Sequence, residues 1–167
     1  KFVITRVENG AANMAETYGK LTGKPGVCMV TRGPGATHAS IGIHTAMQDS
    51  TPMVVLIGQV GRAMKDREAF QEVDYRAMFG PLAKWVAEID RAERIPEYIA
   101  RAFHMAQSGR PGPVVLSLPE DLTSETFDLP PGGLTARPVE PAATTLAAPQ
   151  PGQIKQAMAM LAKAEKP

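Results

Sequence analysis

The sequence predicts an α/β fold in which a doubly wound, parallel sheet carries helices on both faces. Segments with apolar residues at helical spacing alternate with short apolar runs, and this alternation favours a parallel sheet with right-handed crossovers. The short runs are rich in Val, Ile and Leu and lack polar alternation, as expected for strands buried on both faces. They cover residues 27–31, 52–60, 85–89 and 114–118.

The predicted elements follow the order βαβαβ, then a loop, then βαβ. The β-branched run Phe2-Val3-Ile4-Thr5 is predicted as the first strand. It leads into a helix over residues 11–21, which the glycines and the proline of residues 23–26 bring to an end. Residues 36–48 and 93–107 also repeat apolar side chains at helical spacing and are predicted as helices.

The chain is predicted to contain one domain, a linker and the beginning of a second domain. The first domain covers residues 1–127, and we expect it to be incomplete because the chain opens inside a strand without methionine. Residues 128–152 contain six prolines and little periodic apolar content, which indicates an extended Pro-rich linker. Residues 153–167 are predicted to start a following domain, with a short amphipathic helix over 153–163.

Composition excludes several function classes. The 167 residues include 18 Lys and Arg against 17 Asp and Glu, so no basic excess favours nucleic acid or an anionic membrane as partner. No apolar run is long enough to span a bilayer. The single cysteine, Cys28, lies in an apolar run and is predicted to be a buried, inert thiol, in keeping with a reducing cytoplasm. These features favour a small-molecule partner.

Glu8 is the first candidate functional residue. It is predicted to follow the first strand, and open α/β sheets bind ligands beyond the carboxyl ends of their strands. A carboxylate placed there can transfer protons. The alternative is an acid in the first turn of a helix, stabilised by the helix macrodipole, and position alone favours that alternative.

Gly33-Pro34-Gly35 is the second candidate site, directly after the second strand. Two glycines let the backbone approach a ligand closely, and the next helix begins there with unpaired N–H groups. The spacing matches neither a dinucleotide-binding fingerprint nor a phosphate-binding Walker loop. A strand-to-helix turn without a ligand is the alternative.

Taken together and in order, six stretches resemble thiamine-diphosphate-dependent enzymes. The resemblance is to the N-terminal, pyrimidine-binding domain of their acetolactate-synthase-like branch, and it covers residues 2–122. It implies that the middle and diphosphate-binding domains lie outside this chain. The six stretches are residues 8–16 (ENGAANMAE), 31–37 (TRGPGAT), 48–52 (QDSTP), 58–60 (GQV), 69–72 (AFQE) and 109–114 (GRPGPV).

The resemblance also implies what Glu8 does. It would hydrogen-bond a ring nitrogen of the cofactor's aminopyrimidine and promote the imino tautomer, whose own nitrogen then removes the proton from the thiazolium carbon. Burial in an apolar pocket that raises the pKa of the carboxyl would help this task. His38 stands where relatives often have asparagine, and we expect it to bond to backbone at the start of its helix.

Further cofactor and substrate contacts are carried over from the resemblance. Pro34 would pack on the pyrimidine face, with Gly33 and Gly35 allowing the close approach. In the loop over the active centre, Phe70 would border the substrate and Gln71 would reach the reactive side of the cofactor.

The implied function is that of a lyase or transferase of the carboligase or decarboxylase type, acting on 2-oxo acids. Thiamine diphosphate would be the cofactor, with Mg²⁺ held by the C-terminal domain of a neighbouring subunit, so at least a homodimer is needed. FAD in a middle domain is compatible with this branch. The alternatives are a Rossmann-type nucleotide-binding enzyme and a non-catalytic interaction module.

One departure from the family pattern concerns the substrate. Acetolactate synthases usually have proline-lysine-aspartate after the last strand, whereas this chain has Pro119-Glu120-Asp121. A lysine in the substrate channel would favour anionic 2-oxo acids, so its replacement by an acid puts acetolactate synthesis in doubt.

Overall fold

A computed structural model of the protein describes residues 2–127 and 147–166. Within these ranges, no helix is both long and apolar enough to cross a membrane. The helices are α1 (Glu8–Thr22), α2 (Pro34–Gln48), α3 (Tyr75–Phe79), α4 (Ile95–Gln107) and α5 (Pro151–Leu161). The strands are β1 (Gly26–Val30), β2 (Met53–Gln59), β3 (Trp85–Glu88) and β4 (Pro113–Pro119).

The four strands form one parallel sheet in the order β1-β2-β4-β3. Val27 of β1 pairs with Val54 of β2, which in turn pairs with Val114 of β4. Trp85 of β3 pairs with Val114 from the other side. Because all strands run in the same direction, their carboxyl ends meet at one edge of the sheet, where ligands bind in such folds.

Helices cover both faces of the sheet, as predicted. Side chains of successive strand residues point to opposite faces, so Val55 packs in the cluster that includes α1, α2 and α3, whereas Val54 packs in the cluster that includes α4. Both valines are almost completely buried. Cys28 is buried too, so its predicted burial is confirmed, and desolvation raises the pKa of its thiol to about 12.

The predicted first strand is wrong. Residues 2–5 adopt no regular secondary structure, and Phe2 and Ile4 are 88% and 96% exposed. A β-branched run favours extended backbone, but a strand also needs a neighbour to bond with, and β1 ends the sheet without pairing to this segment. As a result, Glu8 follows an irregular segment and begins α1 directly.

The C-terminal predictions are tested only in part. Most of the predicted linker over 128–152 falls on residues 128–146, which lie outside the described residues. The predicted helix over 153–163 is present as α5 but begins two residues earlier, at Pro151. Proline suits this first turn because the N–H that it lacks would have no partner there. The division into domains stays a prediction.

Candidate active site

The turn between β1 and α2 is built on glycine geometry. Gly33 precedes the helix with φ 58° and ψ −109°, a backbone conformation that a side chain would strain. Pro34 is the first residue of α2, where its missing N–H costs nothing. The Gly33 N–H donates a 2.8 Å hydrogen bond to the buried hydroxyl of Tyr75. This turn is therefore fixed by its backbone geometry and by one side chain.

Tyr75 is a site residue that the sequence analysis missed. Its hydroxyl accepts from Gly33 and donates to the carbonyl oxygen of Gly58 at 3.4 Å, so it joins the glycine turn to the carboxyl end of β2. Desolvation raises the pKa of Tyr75, which keeps the hydroxyl protonated and able to donate. The sequence contains no spacing signal for a partner 42 residues away, so only the fold reveals the contact.

The loop that carries Phe70 and Gln71 packs against the same turn. A Cβ placed on Gly33 would lie 2.8 Å from the Cβ of Gln71 and 2.9 Å from its carbonyl oxygen. Gln71 itself has φ 67°, the left-handed region that favours glycine. The structure thus brings Gln71 against Gly33, as the prediction of a shared site requires, and leaves Phe70 78% exposed.

Glu72 holds this loop in place. Its carboxylate accepts hydrogen bonds from the backbone N–H groups of Asp66 at 2.6 Å and Ala69 at 3.1 Å. These backbone bonds lower the pKa of the Glu72 carboxyl. A carboxylate that stays ionised and closes the loop in this way keeps Phe70 and Gln71 beside the glycine turn.

Glu8 lies beside Gly35 of the glycine turn and pairs with His38. Its Oε2 is 3.0 Å from Nδ1 of His38, one turn into α2. A Cβ placed on Gly35 would lie 3.6 Å from Oε1 of Glu8, and 2.8 Å from Cγ2 of Thr31. A side chain at position 35 would therefore clash with Thr31, whereas its approach to the Glu8 carboxylate would be an ordinary van der Waals contact.

The electrostatics of Glu8 differ from the expectation. The hydrogen bond with His38 is the main cause that lowers the pKa of the Glu8 carboxyl; a backbone bond adds to it and partial desolvation opposes it. The carboxylate side chain is 36% exposed, and the hydrogen bonds lower its pKa more than partial burial raises it. The expected bond from His38 to backbone is replaced by this pairing, which joins α1 to α2 beside the turn.

The acid at position 120 is paired. Oε2 of Glu120 accepts a 2.6 Å hydrogen bond from Nη1 of Arg32, the residue before Gly33. The next acid, Asp121, accepts from the backbone N–H of Arg62 at 3.0 Å and from its Nε at 2.7 Å. Both acids after β4 therefore have arginine partners, and Arg32 brings a cation to this edge of the sheet.

Two cavities flank the site without including the glycine turn. A groove of about 830 Å³ is lined by residues 2–7, α1 and β1, with Glu8 and Thr31 at one side. A cavity of about 740 Å³ is lined by Tyr75, by charged side chains of the loop after β2 and by residues of β3 and β4. Among the described residues, no group of three or more His, Cys, Asp or Glu side chains could hold a metal ion.

Comparison with known proteins gives a consistent similarity. Residues 1–78 match the family described as "Thiamine pyrophosphate enzyme, N-terminal TPP binding domain". The chain is 42% identical to acetolactate synthase isozyme 3 large subunit of Escherichia coli over 168 residues, 99% of this chain and 29% of that protein. The acetolactate synthase large subunit of Buchnera aphidicola subsp. Schizaphis graminum is 43% identical over 168 residues, 99% of this chain and 29% of that protein.

An archaeal relative shows the same similarity. The probable acetolactate synthase large subunit of Methanocaldococcus jannaschii is 38% identical over 165 residues, 99% of this chain and 28% of that protein. The chain therefore spans less than a third of the length of these three relatives.

Proposed function

We propose that this chain, which is similar to the N-terminal TPP-binding domain of thiamine pyrophosphate enzymes over residues 1–78 and to acetolactate synthase large subunits over nearly its whole length, contributes the pyrimidine half of an active site acting on 2-oxo acids. Glu8 is the proton-transfer group of this half-site. The observation that supports the proposal is that Gln71 lies against Gly33 and Glu8 lies beside Gly35 of the same glycine turn.

The residues present fit an aminopyrimidine ring. In the turn Gly33-Pro34-Gly35 the ring of Pro34 is exposed between two buried glycines, and the Glu8 carboxylate lies beside Gly35. A carboxylate can hydrogen-bond a ring nitrogen, and a small apolar ring such as proline can pack on an aromatic face. When bound, thiamine diphosphate supplies a nucleophilic carbon and an electron sink for 2-oxo acid chemistry.

His38 sets the protonation state of Glu8 in this proposal. While Nδ1 of His38 bonds to Oε2, the carboxyl has a lowered pKa and is ionised near neutral pH. Packing of a cofactor ring and a second subunit over the exposed carboxylate would remove water and oppose this effect. The carboxyl then holds or gives up one proton at Oε2 or Oε1, as a proton relay requires.

Other parts of the proposed enzyme lie beyond the described residues. We propose that Mg²⁺ and the diphosphate are held by a C-terminal domain of a neighbouring subunit, so that the working enzyme is at least a homodimer. A middle domain that binds FAD is compatible with this arrangement. A reducing cytoplasmic setting fits the free, buried Cys28 thiol.

The test uses the intact enzyme stripped of small molecules and supplied with pyruvate. We expect turnover to return with thiamine diphosphate and Mg²⁺ and not with NAD or FAD alone, and product analysis then separates carboligation from decarboxylation. Turnover restored by a nicotinamide or flavin nucleotide without thiamine diphosphate would favour a Rossmann-type enzyme. Cofactor binding without any turnover of 2-oxo acids would indicate a non-catalytic module.

A further inference from the structure

We propose that Arg32 is the residue that recognises the carboxylate of the substrate, and that Glu120 is its positioning partner. This inference rests on the proposed function, because it names the substrate class of the same site. Arg32 directly precedes Gly33 and lies at the carboxyl end of β1, whereas Glu120 follows β4. Their side chains meet across the end of β2, at the edge of the sheet where the glycine turn lies.

The hydrogen bonds of Arg32 leave one edge of its guanidinium unused. Nη1 donates to Oε2 of Glu120 at 2.6 Å. Nε is buried, and among the described residues it has no hydrogen-bond partner. A buried donor without an acceptor is unfavourable and calls for an explanation, such as a ligand that supplies the acceptor.

A carboxylate is the acceptor that matches the unused edge. The N–H groups of Nε and Nη2 on one side of a guanidinium are parallel and fit the two oxygens of a carboxylate. Nη1, on the other side, is already held by Glu120. The ion pair therefore fixes the guanidinium and keeps its two-donor edge for a second carboxylate.

The surrounding groups support a cationic position at this place. Glu120 is 63% exposed, so water screens its charge more than that of Arg32, whose side chain is 27% exposed. Arg32 directly precedes Gly33, whose N–H donates to the Tyr75 hydroxyl, and its positive charge lowers the pKa of Tyr75 against the larger effect of desolvation. The cation that the sequence lacks after β4 is thus supplied from the turn after β1.

The test measures binding of pyruvate and of methyl pyruvate to the intact enzyme without thiamine diphosphate, by calorimetry. The ester is the uncharged form of the same compound, so the ratio of the two dissociation constants isolates the carboxylate. We expect the wild type to bind pyruvate more tightly than methyl pyruvate. We expect Arg32→Gln to weaken the binding of pyruvate by about tenfold or more, the scale of charged hydrogen bonds. In the same variant, the dissociation constant of methyl pyruvate should change by less than about threefold.

Two further variants separate recognition from folding. Glu120→Gln keeps an oxygen for Nη1 and removes the opposing charge, so we expect pyruvate to bind about two- to fivefold more tightly. Arg101→Gln removes a cation from α4, where the guanidinium lies over the ring of Trp85. It should leave the dissociation constants of pyruvate and methyl pyruvate unchanged.

The proposal is overturned if Arg32→Gln weakens the binding of pyruvate and of methyl pyruvate equally, or if the wild type binds the two compounds with the same affinity. It is also overturned if Glu120→Gln weakens the binding of pyruvate. Binding is read without cofactor, so these outcomes are independent of the proposed function. That function fails separately if the wild type turns over pyruvate without thiamine diphosphate.

Discussion

Replacing Gly33 with alanine tests whether the glycine turn is fixed by close contact with the Gln71 loop. The new Cβ would lie 2.8 Å from Cβ of Gln71 and 2.9 Å from its carbonyl oxygen, distances at which the backbone must shift. Such overpacking costs about 1 to 3 kcal/mol. The backbone at φ 58° and ψ −109° adds about 1 to 3 kcal/mol of strain for a residue with a side chain.

We therefore expect Gly33→Ala to lower the free energy of unfolding by about 2 to 6 kcal/mol. Urea unfolding followed by circular dichroism measures this as a midpoint lower by about 1 M or more. Gly23→Ala is the matched control, because Gly23 has φ 68° and no atom within 4 Å of a Cβ there, so only about 1 to 2 kcal/mol of strain applies. Equal losses in the two variants would refute the contact with Gln71.

Three other predictions concern Tyr75, Cys28 and His38. Tyr75→Phe leaves the buried Gly33 N–H without its acceptor and should cost about 1 to 3 kcal/mol in urea unfolding; an unchanged midpoint would show that water replaces the hydroxyl. Cys28, whose thiol pKa is about 12, should resist a disulfide reagent at pH 8 until urea unfolds the chain, and rapid reaction of the folded chain would contradict its burial. His38→Gln should raise the pKa of Glu8 toward its ordinary value, seen by carbon NMR of the carboxyl group. Because the folded pKa of Glu8 is lowered, the stability that this pair contributes is present at neutral pH and is lost as the pH falls through that pKa; the variant should lack this loss.

The sheet could be predicted from sequence because its signal is local. Runs such as residues 53–57 are continuous and apolar because the strand is buried on both faces, and the pattern changes where the helices begin. The segment at residues 2–5 carries the same local signal and is not a strand. Strand formation there depends on a hydrogen-bonding neighbour, and the sequence of the segment holds no information on one.

The candidate site was predicted only as a set of separate motifs. The resemblance named Glu8, the glycine turn and Gln71, and the fold brings the last two into contact and sets Glu8 beside Gly35. Pairs that join distant parts of the chain could not be found in this way. His38 with Glu8 and Arg32 with Glu120 are separated by 30 and 88 residues, and each side chain alone has an ordinary alternative at the surface.

The role of Glu8 is tested most directly by proton exchange on the bound cofactor. In the intact enzyme with thiamine diphosphate and Mg²⁺, deuterium uptake at the thiazolium carbon between nitrogen and sulfur is measured by quenched-flow NMR. We predict that Glu8→Gln slows this exchange by about 100-fold or more, the scale of a lost proton-transfer group. Glu97→Gln removes an exposed acid of α4 that pairs with Arg94. This variant should show exchange at the wild-type rate. Exchange in Glu8→Gln as fast as in the wild type would contradict the account.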